Sequence, residues 1–238
     1  DLITQIAHKH KLFLIEDAAQ AIDSFYKGKP LGTFGHFAAF SFHETKNIIS
    51  GEGGMLVIND LSYVERAEII REKGTNRSKF FRGEVDKYGW VDIGSSFLPS
   101  EIIAAFLFAQ LEHLEEIQKK RKEIWNEYYN DLKILEAKEK ITLANIPDYA
   151  SNNGHMFYML CNSAQERTML IAYLKSLEIL PTFHYLSLHK SPYFNDSVAY
   201  LPNSDRYTDC LVRLPLYYEL SMQELKQITS AILNFYNV

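Results

Sequence analysis

The stretch Leu12-Phe13-Leu14-Ile15-Glu16-Asp17-Ala18-Ala19-Gln20 decides how the chain is read. Four consecutive apolar residues run into two acids. That is the pattern of a short strand buried on both faces, as in a parallel sheet covered by helices. Just before it, Leu2, Ile3, Ile6 and Ala7 mark one face of a short amphipathic helix. A helix feeding such a strand is half of a βαβ unit, so the expected fold class is α/β. Residues 1–7, Asp-Leu-Ile-Thr-Gln-Ile-Ala, read as the middle of a helix, and the chain is expected to begin inside a domain.

Working outward, Tyr26 to Pro30 and Gly32 to Gly35 are rich in turn residues. Short strands are expected at 37–42 and 55–58, on either side of Gly51, Gly53 and Gly54. A helix over 62–73 stops at Gly74, and 75–99 is irregular. Ser100 then caps a long helix without Gly or Pro from Glu101 to about Leu135. Ile103, Phe106, Leu111, Ile117, Ile124, Tyr128 and Leu132 give it an interrupted apolar stripe. A strand at 156–160, a helix at 165–177, a Pro-, His- and Tyr-rich stretch at 181–193 and a helix from Ser221 complete a small α+β domain. The expected division is residues 1–115 for the first domain and 116–238 for the second, entered through the long helix.

With 238 residues, 47% apolar and 23% charged, the composition is that of a globular protein with a sizeable core. The net charge of −5, with no basic run interleaved with aromatics, argues against a nucleic-acid partner. Cys161 and Cys210 form no Cys-x-x-Cys, so neither a disulfide framework nor a cysteine-rich metal site is expected, and a cytoplasmic location is. No stretch is long and apolar enough to span a bilayer, and residues 1–20 are not a signal peptide, so no membrane partner is expected.

Three pieces carry chemistry: Glu16-Asp17-Ala18-Ala19-Gln20, Ser41-Phe42-His43-Glu44-Thr45-Lys46 and Gly51-Glu52-Gly53-Gly54. Asp17 follows a buried strand, and ligands of open α/β sheets gather at the carboxyl ends of strands. A carboxylate there pairs with a pyridinium nitrogen and keeps it protonated. Gln20, three residues on, would share a helical face with Asp17. A lysine held in a dry cleft, as Lys46 would be, loses its proton readily and becomes a nucleophile and proton carrier. Ser41 is a small donor suited to a phosphate oxygen, His43 shares its strand parity, and the glycines permit close backbone approach. Each piece alone also has a plain reading: a helix-capping Asp, a solvated Lys, a Gly turn.

Together, in this order and spacing, they resemble the nucleotide-sugar aminotransferases of the aspartate-aminotransferase superfamily, over essentially the whole chain. The resemblance implies a pyridoxal 5'-phosphate (PLP) fold type I large domain with a mixed, mostly parallel sheet, truncated at its N-terminus, followed by the small domain. On the order of a hundred residues that family members carry would precede this chain, judged by ordinary domain size. By the resemblance Lys46 anchors the cofactor, Asp17 pairs with the ring nitrogen, Gln20 lies near the ring oxygen and Ser41 touches the phosphate. Ser96 stands where many members place an asparagine that reaches the phosphate across a homodimer interface. The runs Ser41–Asn47, Arg71–Arg77, Phe80–Gly83, Asp92–Ser96 and Phe183–His189 narrow the resemblance. They match transaminases that move an amino group from glutamate to C4 of dTDP-4-keto-6-deoxyglucose for surface polysaccharide.

Arg77, Arg82, Tyr88, His184 and His189 are candidates for contacts to the nucleotide sugar or the amino-acid donor, with surface, interface or core roles as the alternative for each. Three other readings stand beside the first: a fragment without activity, an aminotransferase for another nucleotide keto-sugar, and a sugar 3-dehydratase. Such dehydratases carry His in place of the lysine, and Lys46 argues against that last reading.

Overall fold

The computed structural model describes residues 1–194 and 200–238. They form two compact units, one of residues 1–114 with 149–151, the other of residues 115–148 with 152–238.

In the first unit, α1 (Leu2–His10) ends at Lys11, which adopts a left-handed φ of 54° and closes the helix through its N–H. The strands are β1 (Ile15–Asp17), β2 (Phe25–Tyr26), β3 (Lys29–Pro30), β4 (Phe37–Ser41) and β5 (Gly54–Ile58). β2 and β3 pair as a small hairpin, while the main sheet has the order β1-β4-β5. β1 runs parallel to β4, with Asp17 opposite Ala39. β5 runs antiparallel to β4, with Gly54 opposite Ser41. The described sheet is therefore mixed. The apolar run at 12–15 differs from its expectation: the strand starts only at Ile15, and Leu12, Phe13 and Ile15 are exposed. β1 is an edge of the sheet, so no described strand lies along its outer side.

Beyond β5, a 3-10 turn (Leu61–Tyr63) leads into α2 (Val64–Arg71). Gly74, at φ +77°, ends that helix where its backbone packs directly on Gly94; a Cβ on either glycine would collide with the other strand of chain. α3 spans Arg77–Phe81, and α4 (Glu101–Glu112) starts at Ser100, whose hydroxyl accepts the Ile103 N–H at 3.4 Å. The long helix expected from Glu101 is interrupted at His113, and α5 resumes at Leu114 and runs to Ala137. No Gly or Pro marks this break. It falls where the chain leaves one unit for the other.

In the second unit α5 buries Ile124, Trp125, Tyr128, Leu132 and Leu135, one stripe at helical spacing. The stripe packs on an antiparallel sheet of β6 (Ile141–Leu143), β7 (Phe157–Cys161) and β8 (Leu211–Leu214), ordered β6-β7-β8. α6 (Ala164–Ser176), α7 (Pro202–Cys210) and α8 (Met222–Phe235) complete it. α8 opens with a capping box in which Ser221 and Glu224 satisfy each other's backbone N–H groups. Within this span Tyr149–Ser151 returns to the first unit. The Lys27 N–H donates to Tyr149 O at 2.6 Å and the Ser151 N–H to Phe25 O at 3.0 Å. The open edge of the β2–β3 hairpin offers those groups, and a linear division at residue 115 does not show it. Among the described residues no helix is long and apolar enough to cross a membrane.

Candidate functional site

Because β1 and β4 are parallel, Asp17 and Ser41, their last residues, finish at the same edge of the sheet. β5 is antiparallel and starts there, so the Gly51–Gly54 turn arrives at that edge too. Topology thus gathers Asp17, Ser41, Lys46 and the glycines into one place.

The loop that carries Lys46 is closed by its own backbone. Phe42 N–H donates to Gly53 O at 2.8 Å, Glu44 N–H to Gly51 O at 2.9 Å, and Ser50 N–H to Phe42 O at 2.7 Å. Buried Phe42, Asn47, Ile48 and Ser50 anchor it from beneath. The Ser50 hydroxyl donates to Glu52 O at 3.0 Å and fills the space a side chain at Gly53 would need. Gly51 adopts φ +83°. The glycines are thus required by the turn and by Ser50, before any ligand is considered. Lys46 is half-buried, its N–H donates to His43 O at 2.9 Å, and its ammonium has no acidic partner among the described residues.

Asp17 is exposed, and its Oδ1 accepts the Ala19 N–H at 3.1 Å. Gln20 departs from its expectation. Residues 18–24 form successive turns, with Ala21 N–H to Ala18 O at 2.9 Å and Ser24 N–H to Ala21 O at 3.0 Å, so no helical face joins Gln20 to Asp17. Ser41 Oγ accepts the His43 N–H at 3.3 Å. The strand ends at Ser41, so parity does not carry to His43. Its Nδ1 instead accepts the Thr45 N–H at 3.2 Å, and its Nε2 lies 3.6 Å from Glu52.

Glu16 drew no role from the sequence, yet its carboxylate accepts three backbone N–H groups. They come from Gly32 at 2.8 Å, Phe34 at 2.6 Å and Gly35 at 2.8 Å. Asn59 adds bonds from Nδ2 to Gly32 O at 3.0 Å and Gly35 O at 2.9 Å. These residues hold the turn that delivers β4 beside β1. The only local signal for Glu16 is its alternation with Asp17, which points the two carboxylates to opposite faces.

The remaining candidates do not all join the sheet edge. Ser96 is exposed and forms an isolated bridge with Glu72. Arg77 lies over the Phe81 ring at 5.0 Å. Arg82 is committed: its Nη1 donates to both Glu68 oxygens at 3.0 Å and its Nε to Glu84 Oε1 at 2.7 Å. Tyr88 is exposed, with its ring 5.5 Å from Phe80. His184 and His189 belong to the second unit. His189 is buried, its Nε2 3.1 Å from Asp205 Oδ1 but off the line of a hydrogen bond, which reads as loop anchoring. Burial, and then the charge of Arg213, hold His184 below the usual histidine pKa.

A half-buried amine without an acid partner, a carboxylate at the end of the neighbouring parallel strand and a hydroxyl beside them fit a cofactor with an aldehyde, a ring nitrogen and a phosphate. Among the described residues no group of three or more His, Cys, Asp or Glu side chains is placed to hold a metal ion.

Comparison with known proteins agrees with this chemistry. The model of the DegT/DnrJ/EryC1/StrS aminotransferase family matches residues 1–233. GDP-perosamine synthase of Escherichia coli O157:H7 is 30% identical over 241 residues, covering 99% of this chain and 61% of that protein. An uncharacterized protein of Methanocaldococcus jannaschii is 29% identical over 242 residues, covering 98% of this chain and 62% of its own length. A crystal structure of a DegT/DnrJ/EryC1/StrS aminotransferase from Brucella abortus superposes with a TM-score of 0.85 at 26% identity, covering 99% of this chain and 60% of that one. The chain therefore spans about three-fifths of the length of the relatives it matches.

Proposed function

The chain belongs to the DegT/DnrJ/EryC1/StrS aminotransferase family, and from that premise we propose that it serves a PLP-dependent transfer of an amino group to a nucleotide keto-sugar. The observation that carries this reading is the shared edge of β1 and β4, with Asp17 and Ser41 at the strand ends and Lys46 on the self-closed loop that follows.

When bound, PLP supplies an electron sink for the carbon from which a proton is removed. In this reading the Lys46 amine would hold the cofactor aldehyde and, once displaced by the incoming donor amine, would be free to carry a proton between the two reacting carbons. Asp17 keeps a proton on the ring nitrogen by pairing with it. Ser41 donates to a phosphate oxygen, and buried Phe42 and Ile48 keep the base of the loop dry. Gln20 near the ring oxygen, His43 facing the cofactor and Ser96 at the phosphate belong to the same proposal.

The substrate proposed is dTDP-4-keto-6-deoxyglucose, aminated at C4 with glutamate as donor, in the making of surface polysaccharide by a cytoplasmic homodimer. The runs Arg71–Arg77, Phe80–Gly83 and Asp92–Ser96 support that narrower choice. The relation to GDP-perosamine synthase favours a second reading, a GDP-linked keto-sugar. Product analysis by mass spectrometry, with glutamate and each nucleotide keto-sugar in turn, decides between them. Faster turnover of the GDP-linked sugar overturns the first choice, and no transfer from any of them favours a chain without activity.

A further inference from the structure

A cavity of about 200 Å³ in the second unit is lined by His155, Thr182 and Arg213, with Met156, Leu180 and Leu216 as its apolar wall. Arg213 lies in β8 opposite Tyr158. It exchanges main-chain bonds with Thr182: its N–H donates to Thr182 O at 2.7 Å, and Thr182 N–H to Arg213 O at 3.0 Å. The backbone therefore fixes where the side chain leaves the sheet. Its guanidinium makes no hydrogen bond or ion pair with any described residue.

The surroundings share that sign. Arg121, only 7% exposed, donates from Nη2 to His155 O at 2.8 Å and from Nε to Gly154 O at 3.1 Å. Among the described residues it meets carbonyls and no carboxylate, and burial pushes its guanidinium down to about 10. His184, two residues from Thr182, has a buried Nδ1 without a hydrogen-bond partner among the described residues. In a chain of net charge −5, two uncompensated arginines near one cavity are a local reversal of sign. A partly buried guanidinium without a counter-ion is unfavourable until an anion arrives, and its planar fork suits two oxygens of one group.

We propose that this cavity binds an oxyanion, a carboxylate or a phosphate, gripped by the Arg213 guanidinium with Thr182 beside it. The volume equals about six or seven waters at roughly 30 Å³ each, room for one such group on a short stem. A whole nucleotide would need a larger pocket. The proposal draws only on residues of the second unit and does not rest on the proposed transamination.

Calorimetric titration of the 238-residue chain tests it, with sodium pyrophosphate in one arm and 2-oxoglutarate in the other. Saturable binding is expected in at least one arm, and the arm that binds names the source of the oxyanion. Arg213→Gln is expected to weaken it about tenfold or more, the loss of a charge-assisted hydrogen bond. Arg213→Lys retains the charge without the fork and falls between. Lys46→Ala is expected to bind as the parent does, which separates this site from the cofactor site. If Arg213→Gln does not fold, Thr182→Val carries the comparison, with the same direction of change. No saturation in either arm, or parental affinity in the folded Arg213 and Thr182 variants, overturns the proposal.

Discussion

Glu16 and Gly35 are joined by a hydrogen bond of 2.8 Å from the Gly35 N–H to the Glu16 carboxylate, across nineteen residues of chain. The same carboxylate holds Phe34 and Gly32. It thereby fixes the turn after which β4 enters beside β1, in the register that sets Asp17 opposite Ala39 and carries Ser41 two residues beyond. Gly35 itself cannot be enlarged, because a Cβ there would stand 2.5 Å from Leu14 O.

Glu16→Ala is expected to destabilise the chain by about 3 kcal/mol, since three part-buried N–H donors lose a charged acceptor at once. Urea unfolding measures it. A loss below about 1 kcal/mol would mean that water replaces the carboxylate without cost.

The Gly74–Gly94 contact is expected to reject any side chain. Gly74→Ala drives a Cβ into Asp92 O at φ +77° and should cost about 3 kcal/mol or unfold the region. Gly83→Ala is the control: its φ is +74°, but the space around it is open, so only backbone strain of about 1–2 kcal/mol is expected. Equal thermal shifts in the two variants would remove the packing argument.

Lys46→Ala should abolish both the absorbance change on adding PLP and any turnover. Asp17→Asn should bind the cofactor yet lose activity on the order of a hundredfold or more, because the ring nitrogen is no longer held protonated. Parental turnover in Asp17→Asn would show that this carboxylate has been misread.

Burial raises the Cys161 thiol to about 12 from its ordinary value of 9.0, and raises Cys210 as well. The native state thus keeps its thiol protons through a range in which the unfolded chain loses them. Stability from this source is fully present below about pH 9 and falls as the pH rises towards 12. At pH 8 both thiols should be inert to a disulfide reagent in the folded chain and react on unfolding. Rapid labelling of folded Cys161 is the contrary result.

Much of this protein is legible in its sequence because the signals are local. The stop at Gly74, the cap at Ser100 and the start of the last helix at Ser221 depend on neighbours within a few residues, and each lies where that chemistry puts it. The order of the Asp17, Ser41 and Lys46 motifs is likewise a property of the chain alone. Partner choice over distance is not. Arg82 carries the same charge whether it faces a phosphate or, as here, Glu68 and Glu84. His43 leaves the parity of its strand because β4 stops two residues earlier. The return of Tyr149–Ser151 and the cavity beside Arg213 arise from packing between segments far apart in sequence. Local pattern determined which groups this chain owns; tertiary structure decided which of them are already satisfied, because satisfaction depends on the partner that folding brings within about 3 Å.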